Sequence, residues 1–114
     1  TVLCMRPAEG AVAAPVLREI VTTVQDEGLS VLLLPPPPDL ADARGAPLPA
    51  TYCKFYVANR AVIVPTYGFA EDHEALDVLG AAFEGRDVIG LPAHDLLCGG
   101  GAFHCVTQPQ PAAP

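Results

Sequence analysis

The alternation of apolar and polar positions divides the chain into short elements. The opening "TVLCM" is an apolar run with the length of a buried strand. From Pro15 the apolar residues Val16, Leu17, Ile20, Val21 and Val24 recur at helical spacing, and Gly28 supplies a stop. "LSVLLLP" predicts a second buried strand, closed by Pro35. The run Pro35 to Pro38 cannot donate ladder hydrogen bonds, so the chain leaves the sheet in an extended form. No periodicity returns before about Pro49, and an unstructured loop over residues 35–49 is long for a compact domain.

In the second half, "YCKFYVANRAVIVP" places two β-prone runs around Asn59-Arg60, the outline of a hairpin, because Asn tolerates the left-handed backbone of tight turns. A second helix opens with Glu71, Asp72 and Glu74, acids favoured at a helix N-terminus. Its apolar stripe is Ala75, Leu76, Leu79, Ala82 and Phe83, and Gly85 ends it. "DVIGL" and "AFHCVT" predict two further strands, with the glycine run Gly99 to Gly101 turning the chain between them. The tail over residues 108–114 is expected to fray. The order is β-α-β, hairpin-α-β, glycine turn and final strand, which is mixed α/β. Helix-then-strand occurs twice, a hint of a repeated unit.

Composition narrows the class. A chain of 114 residues has room for one domain and a modest core. With 51% hydrophobic and 17% charged residues it is too apolar for a disordered chain. A net charge of −7 argues against nucleic-acid or anionic-membrane partners, which need clustered Lys and Arg. An acidic surface suits a cationic small molecule and serves solubility equally well. No apolar run approaches the roughly 18 residues of a membrane helix, and the start lacks the charged-then-apolar pattern of a signal peptide. Cys4, Cys53, Cys98 and Cys105 lie far apart, which suits a reduced, cytoplasmic protein.

The candidate chemistry gathers in "LLCGGGAFHCVTQPQP", residues 96–111. Cys105 is a candidate nucleophile, since a thiolate attacks strongly even when little of it is ionised. Gly99, Gly100 and Gly101 would let backbone and substrate approach it closely. The competing reading is a small buried hydrophobe in a strand, with the glycines merely turning the chain. His104 is a poor base for Cys105 if both lie in a strand, where neighbours face opposite ways. His73 belongs in solvent at an acidic helix start, and His94 stands beside Asp95 without a catalytic pattern. Cys98, His104 and Cys105 match no usual zinc spacing. The glycine run is followed by no Lys-Ser/Thr and is therefore no phosphate loop.

"LPATYCKFYVANRAVIVP" and "EALDVLGAAFEGRDVIGLPAHDLLCGGGAFHCVTQPQP", with the spacing between them, resemble the C-terminal part of agmatine deiminases, which group with the bacterial peptidylarginine deiminases. The family pattern reads P-A-S-Y-x-N-F-Y-x-A-N, then V-x-V-P-x-F-G-D, then G-G-G-x-x-H-C-x-T-Q-Q-Q-P. The resemblance runs from about Leu32 to Pro111 and implies a partial pentein, about the last third of an α/β-propeller of αββαβ-type units. It implies hydrolysis of a guanidinium C–N bond, with release of ammonia, through Cys105 as nucleophile and a covalent amidino-thioether intermediate. Gly99, Gly100 and Gly101 would shape the approach, Tyr52, Lys54 and His104 would border the site, and no cofactor is implied. The substrate would be agmatine or an arginine side chain.

Such chemistry also needs carboxylates to hold the guanidinium and a histidine to move protons. In the family these come from an upstream His-x-Asp pair and a further acid, and this chain contains no His-x-Asp. The sequence therefore reads as an incomplete piece, expected to associate with itself or with a complementing chain. Non-catalytic binding of a partner is the alternative, and transfer of the amidino group to an amine a third. Three departures bear on substrate preference. Lys54 stands where the pattern has Asn, Pro109 interrupts the Gln run, and Tyr67-Gly68-Phe69 replaces Phe-Gly-Asp. Lys54 would either face the site, repelling a guanidinium while favouring a thiolate, or reach into solvent.

Overall fold

The computed structural model describes residues 1–111; of the tail over residues 108–114, the last three positions lie outside the described residues. Two βαβ units form its frame. In the first, β1 (Val2–Met5) runs into α1 (Ala14–Asp26) and returns as β2 (Val31–Leu34), parallel to β1 with Val2 opposite Val31 and Met5 opposite Leu34. Pro15 sits in the first turn of α1, where its missing N–H would have had no helical partner. The expected apolar stripe forms but is only partly covered. Leu17, Val21 and Val24 are half-buried, while Val16 and Ile20 remain 57% and 43% exposed. A second apolar layer over this side of α1 is absent among the described residues.

The Pro-rich segment is not wholly irregular. β3 (Leu40–Ala41) and β4 (Pro47–Leu48) pair antiparallel, and the Asp42 carboxylate accepts the N–H groups of Arg44 and Ala46 at 2.8 and 2.9 Å. Two-residue strands are too short to leave a periodic signal. The run "YCKFYV" differs from its strand reading in part. Tyr52–Lys54 is one turn of 3-10 helix, opened by Thr51, whose hydroxyl accepts the Cys53 N–H at 3.1 Å.

The hairpin follows where expected. β5 (Tyr56–Val57) pairs antiparallel with β6 (Ala61–Thr66) around Asn59-Arg60, and the Ala58 N–H donates to the Ala61 carbonyl at 2.8 Å. Asn59 does not use its left-handed tolerance, since no non-glycine residue among the described ones has positive φ. β6 leads through α2 (Glu71–Ala82) to β7 (Asp87–Pro92), which lies parallel to β6 over six pairs, Ala61–Asp87 to Thr66–Pro92. This is the second βαβ unit, completed by the antiparallel β5 at one edge and leaving β7 at the other.

The two units share one core. Leu34 of β2, Tyr52, Val62 and Val64 of β6, and Ala75 and Leu79 of α2 are all fully buried together. Leu3, Phe55, Leu76, Phe83 and Val88 pack around them. The stripe expected for α2 is thus the one buried. A bidentate ion pair clips the units at the surface, with Arg6 to Glu74 at 2.7 and 3.3 Å. After β7 come two elements that apolar periodicity did not signal, α3 (His94–Cys98) and a 3-10 turn over Phe103–Val106. The latter corrects the expected strand "AFHCVT". The Thr107 hydroxyl donates to the Phe103 carbonyl at 2.7 Å, closing the turn and occupying a carbonyl that a ladder would have used.

Candidate active site around Cys105

The glycine run does two physical jobs, one per residue. Gly100 has φ +89, in the region that L side chains rarely adopt, and takes the chain out of α3. Its N–H donates to the Leu97 carbonyl at 2.8 Å, while that of Gly99 donates to Leu96 at 3.0 Å. Gly101 has an ordinary φ but no room. A Cβ there would lie 2.7 Å from Cys105 Cβ and 2.9 Å from its sulfur. The cysteine side chain therefore lies directly over the Gly101 backbone.

Cys105 is exposed and free, as is Cys98 at the end of α3. The reading of Cys105 as a buried strand hydrophobe does not hold, because the residue lies in a 3-10 turn and faces outward. The argument against His104 as its base changes ground accordingly. In 3-10 geometry successive side chains diverge by about a third of a turn instead of half. The two residues still part. His104 lines a cleft of about 700 Å3 with Cys53, Phe55, Tyr56, Thr107 and Pro109, and Cys105 is not in its wall. Burial pushes the Cys53 thiol up, with the Thr51 hydroxyl opposing, so Cys53 is held as a neutral thiol beside that cleft.

The Lys54 side chain reaches the glycine turn. Its Nζ is 3.4 Å from the carbonyl oxygens of Pro49 and of Gly100, so the ammonium is held against the glycine turn. Tyr52 does not border the site with a free hydroxyl. It is fully buried and donates to Asp72 at 2.6 Å. Burial first, and the Asp72 contact second, push the Tyr52 phenol well above its ordinary range.

Asp72 is the residue that sequence reasoning undervalued. Beyond its place in the first turn of α2, its carboxylate accepts the N–H groups of Tyr67 at 3.1 Å, Gly68 at 2.8 Å and Phe69 at 3.2 Å. The Tyr67 hydroxyl in turn donates to the Thr51 carbonyl at 3.0 Å. A hydrogen-bonded frame thus runs from α2 through Tyr52 and Thr51 to the turn that carries Lys54. The one sequence signal was the Tyr67-Gly68-Phe69 departure. The segment that lacks an acid of its own wraps around one supplied three residues later.

Cys105, Lys54 and the three glycines are therefore brought together, Tyr52 lies buried in the core, and His104 faces the neighbouring cleft. Among the described residues no hydrogen bond joins the Cys105 thiol to a histidine or carboxylate. No group of three His, Cys, Asp or Glu side chains there is placed to hold a metal. The arrangement presents an open thiol.

Comparison with known proteins agrees with these elements. The chain aligns at 47% identity over 68 residues with a protein from Selenomonas ruminantium named "Putative agmatine deiminase", covering 60% of this chain and 18% of that protein. The fold is similar to that of C. jejuni agmatine deiminase, with TM-score 0.83 and 29% identity over 90% of this chain and 31% of the other. A Porphyromonas gingivalis structure described as a "Putative Arginine Deiminase" gives TM-score 0.81 and 30% identity, over 91% of this chain and 32% of that one. The chain spans less than a third of the length of these relatives. The family model of the Porphyromonas-type peptidyl-arginine deiminases matches residues 9–111, and the chain belongs to that family.

Proposed function

We propose that the chain carries the nucleophile of a deiminase acting on a guanidinium group, with agmatine as substrate. The observation that carries this reading is the seating of Cys105. An exposed, unpaired thiol lies on a residue that lacks a Cβ, so one side of the sulfur is backed by peptide and the other is open. A planar cation can lie over the open side. The thiolate forms a C–S bond to the guanidinium carbon, and the C–N bond to the departing nitrogen breaks as that nitrogen is protonated and leaves as ammonia. Water then attacks the amidino-thioether carbon, the C–S bond breaks, and the ureido product leaves with the thiolate restored.

The proton carrier and the carboxylates that pair with the guanidinium are assigned to parts of the active unit other than the described residues. Their arrangement with this piece around a central site, as in a pentein propeller, belongs to the same reading. Peptide-borne or free arginine is the alternative substrate. The test is ammonia release from agmatine by this chain joined to the parts that complete the active unit, beside the same assembly carrying Cys105→Ser. Release that disappears in the variant supports Cys105 as nucleophile. Release that survives in the variant overturns it.

A second reading, a non-catalytic piece that binds itself or a complementing chain, draws on the exposed apolar side of α1 and on β7, where Ile89 and Leu91 are 42% and 41% exposed on one side of an edge strand. It is favoured if neither completed assembly releases ammonia.

A further inference from the structure

The peptide joining Gly100 to Gly101 is held from both sides. Its carbonyl oxygen faces the Lys54 ammonium at 3.4 Å. Its N–H, on Gly101, points to the Leu96 carbonyl at 3.5 Å. A trans peptide is planar, with C=O and N–H directed oppositely, so two anchors on opposite edges fix the tilt of the whole plane. Both contacts are long, and either alone would leave the plane free to rock. The plane ends at the Gly101 Cα, on which the Cys105 side chain rests. Within this stretch Gly100 is the residue with positive φ, so it is the joint about which such rocking would occur.

Lys54 is itself constrained. It closes the 3-10 turn opened by Thr51, its ammonium also meets the Pro49 carbonyl, and the preceding Tyr52 is locked to Asp72. Its position relative to the core is thus set by the Asp72 frame. An ammonium between two carbonyl oxygens has its charge partly neutralised by their dipoles, which suits a structural tie.

We propose that Lys54 is a positioning residue: it fixes the Gly100–Gly101 peptide plane and, through Gly101, the location of the Cys105 side chain. Removing the ammonium frees the plane to rotate about Gly100. The cysteine turn, whose Cys105 N–H donates to the Ala102 carbonyl at 2.9 Å, loosens with it. The assignment of Cys105 as the attacking thiol gives the tie its purpose, but the tie is measurable without turnover.

The experiment is amide hydrogen exchange by NMR on the full chain, comparing Lys54→Met and Lys54→Arg with the parent. Lys54→Met keeps the stem and loses the charge; Lys54→Arg keeps a cationic donor. The expected result is exchange about fivefold to tenfold faster at the Gly101 and Cys105 amides in Lys54→Met, the size of one weak charge-assisted hydrogen bond. Val62 and Val64 in β6 stay unchanged, and Lys54→Arg restores most of the protection. Uniform acceleration, including β6, would mean general destabilisation and would overturn the proposal. So would acceleration confined to Gly101, because the tie would then not reach the cysteine. Loss of ammonia release in Cys105→Ser bears on the nucleophile alone, so the two assignments fail separately.

Discussion

The most exacting position is Gly101, where a single methyl group has no space. A Cβ would press on Cys105 at 2.7 Å, and both contacts are to a short side chain on a closed turn. Gly101→Ala should therefore displace the cysteine and cost about 1–3 kcal/mol, the usual range for overpacking. Chemical denaturation measures the cost. The same variant should show altered Cys105 alkylation, while Gly99→Ala, whose Cβ would meet the Leu96 carbonyl at the milder distance of 3.3 Å, should behave more like the parent. The special character of the glycine run was legible in the sequence because three glycines before a cysteine demand an explanation. Its partner Lys54 was legible as a departure from the family pattern, but not its role, since Gly100 lies 46 positions away. A contact across that distance leaves no local trace.

At the scale of elements, α1, α2 and the strands β1, β2, β6 and β7 emerged from the apolar pattern, and two of the failures share a cause. "AFHCVT" and the start of "YCKFYV" are rich in β-branched and aromatic residues, which favour strands only when a neighbouring strand supplies partners. Neither has one here; Thr51 and Thr107 bond to nearby backbone at the start of one 3-10 turn and the end of the other. α3, five residues long, is shorter than a helical period can reveal. α2 was placed correctly, yet the role of Asp72 at its start was not. Four donors converge on that carboxylate, from Tyr52, Tyr67, Gly68 and Phe69. Tyr52→Phe should cost about 1–2 kcal/mol, the price of one charged hydrogen bond whose acceptor keeps its other partners. It should also change the alkaline limb of stability. Burial and Asp72 raise the Tyr52 phenol above the ordinary tyrosine range, so the unfolded chain ionises first. Stability is then full below about pH 10 and falls above it, and Tyr52→Phe should flatten that fall in a pH series of urea midpoints.

The whole molecule has a core but incomplete cover. Its radius of gyration is 14.8 Å, against about 13 Å expected for a compact chain of this length. Its three small sheets do not join into one, and β7 ends an open edge. Ile89 and Leu91 alternate along β7 with Val88 and Gly90, which turn toward α2, so the exposed pair forms an apolar strip on the other side. Such a strip favours association, while a net charge of −7 opposes it at low salt. Sedimentation should accordingly show association that strengthens with salt, and Ile89→Glu should shift it toward monomer. If the variant sediments as the parent does at every salt concentration, β7 is not the surface involved. The tight seat of the cysteine has a last consequence at the level of the gene. Gly100 needs its backbone freedom and Gly101 its missing side chain, so two adjacent codons admit change only at their third base. Every other single-nucleotide substitution there introduces a chain stop or a side chain, which strains the backbone at Gly100 and collides with Cys105 at Gly101.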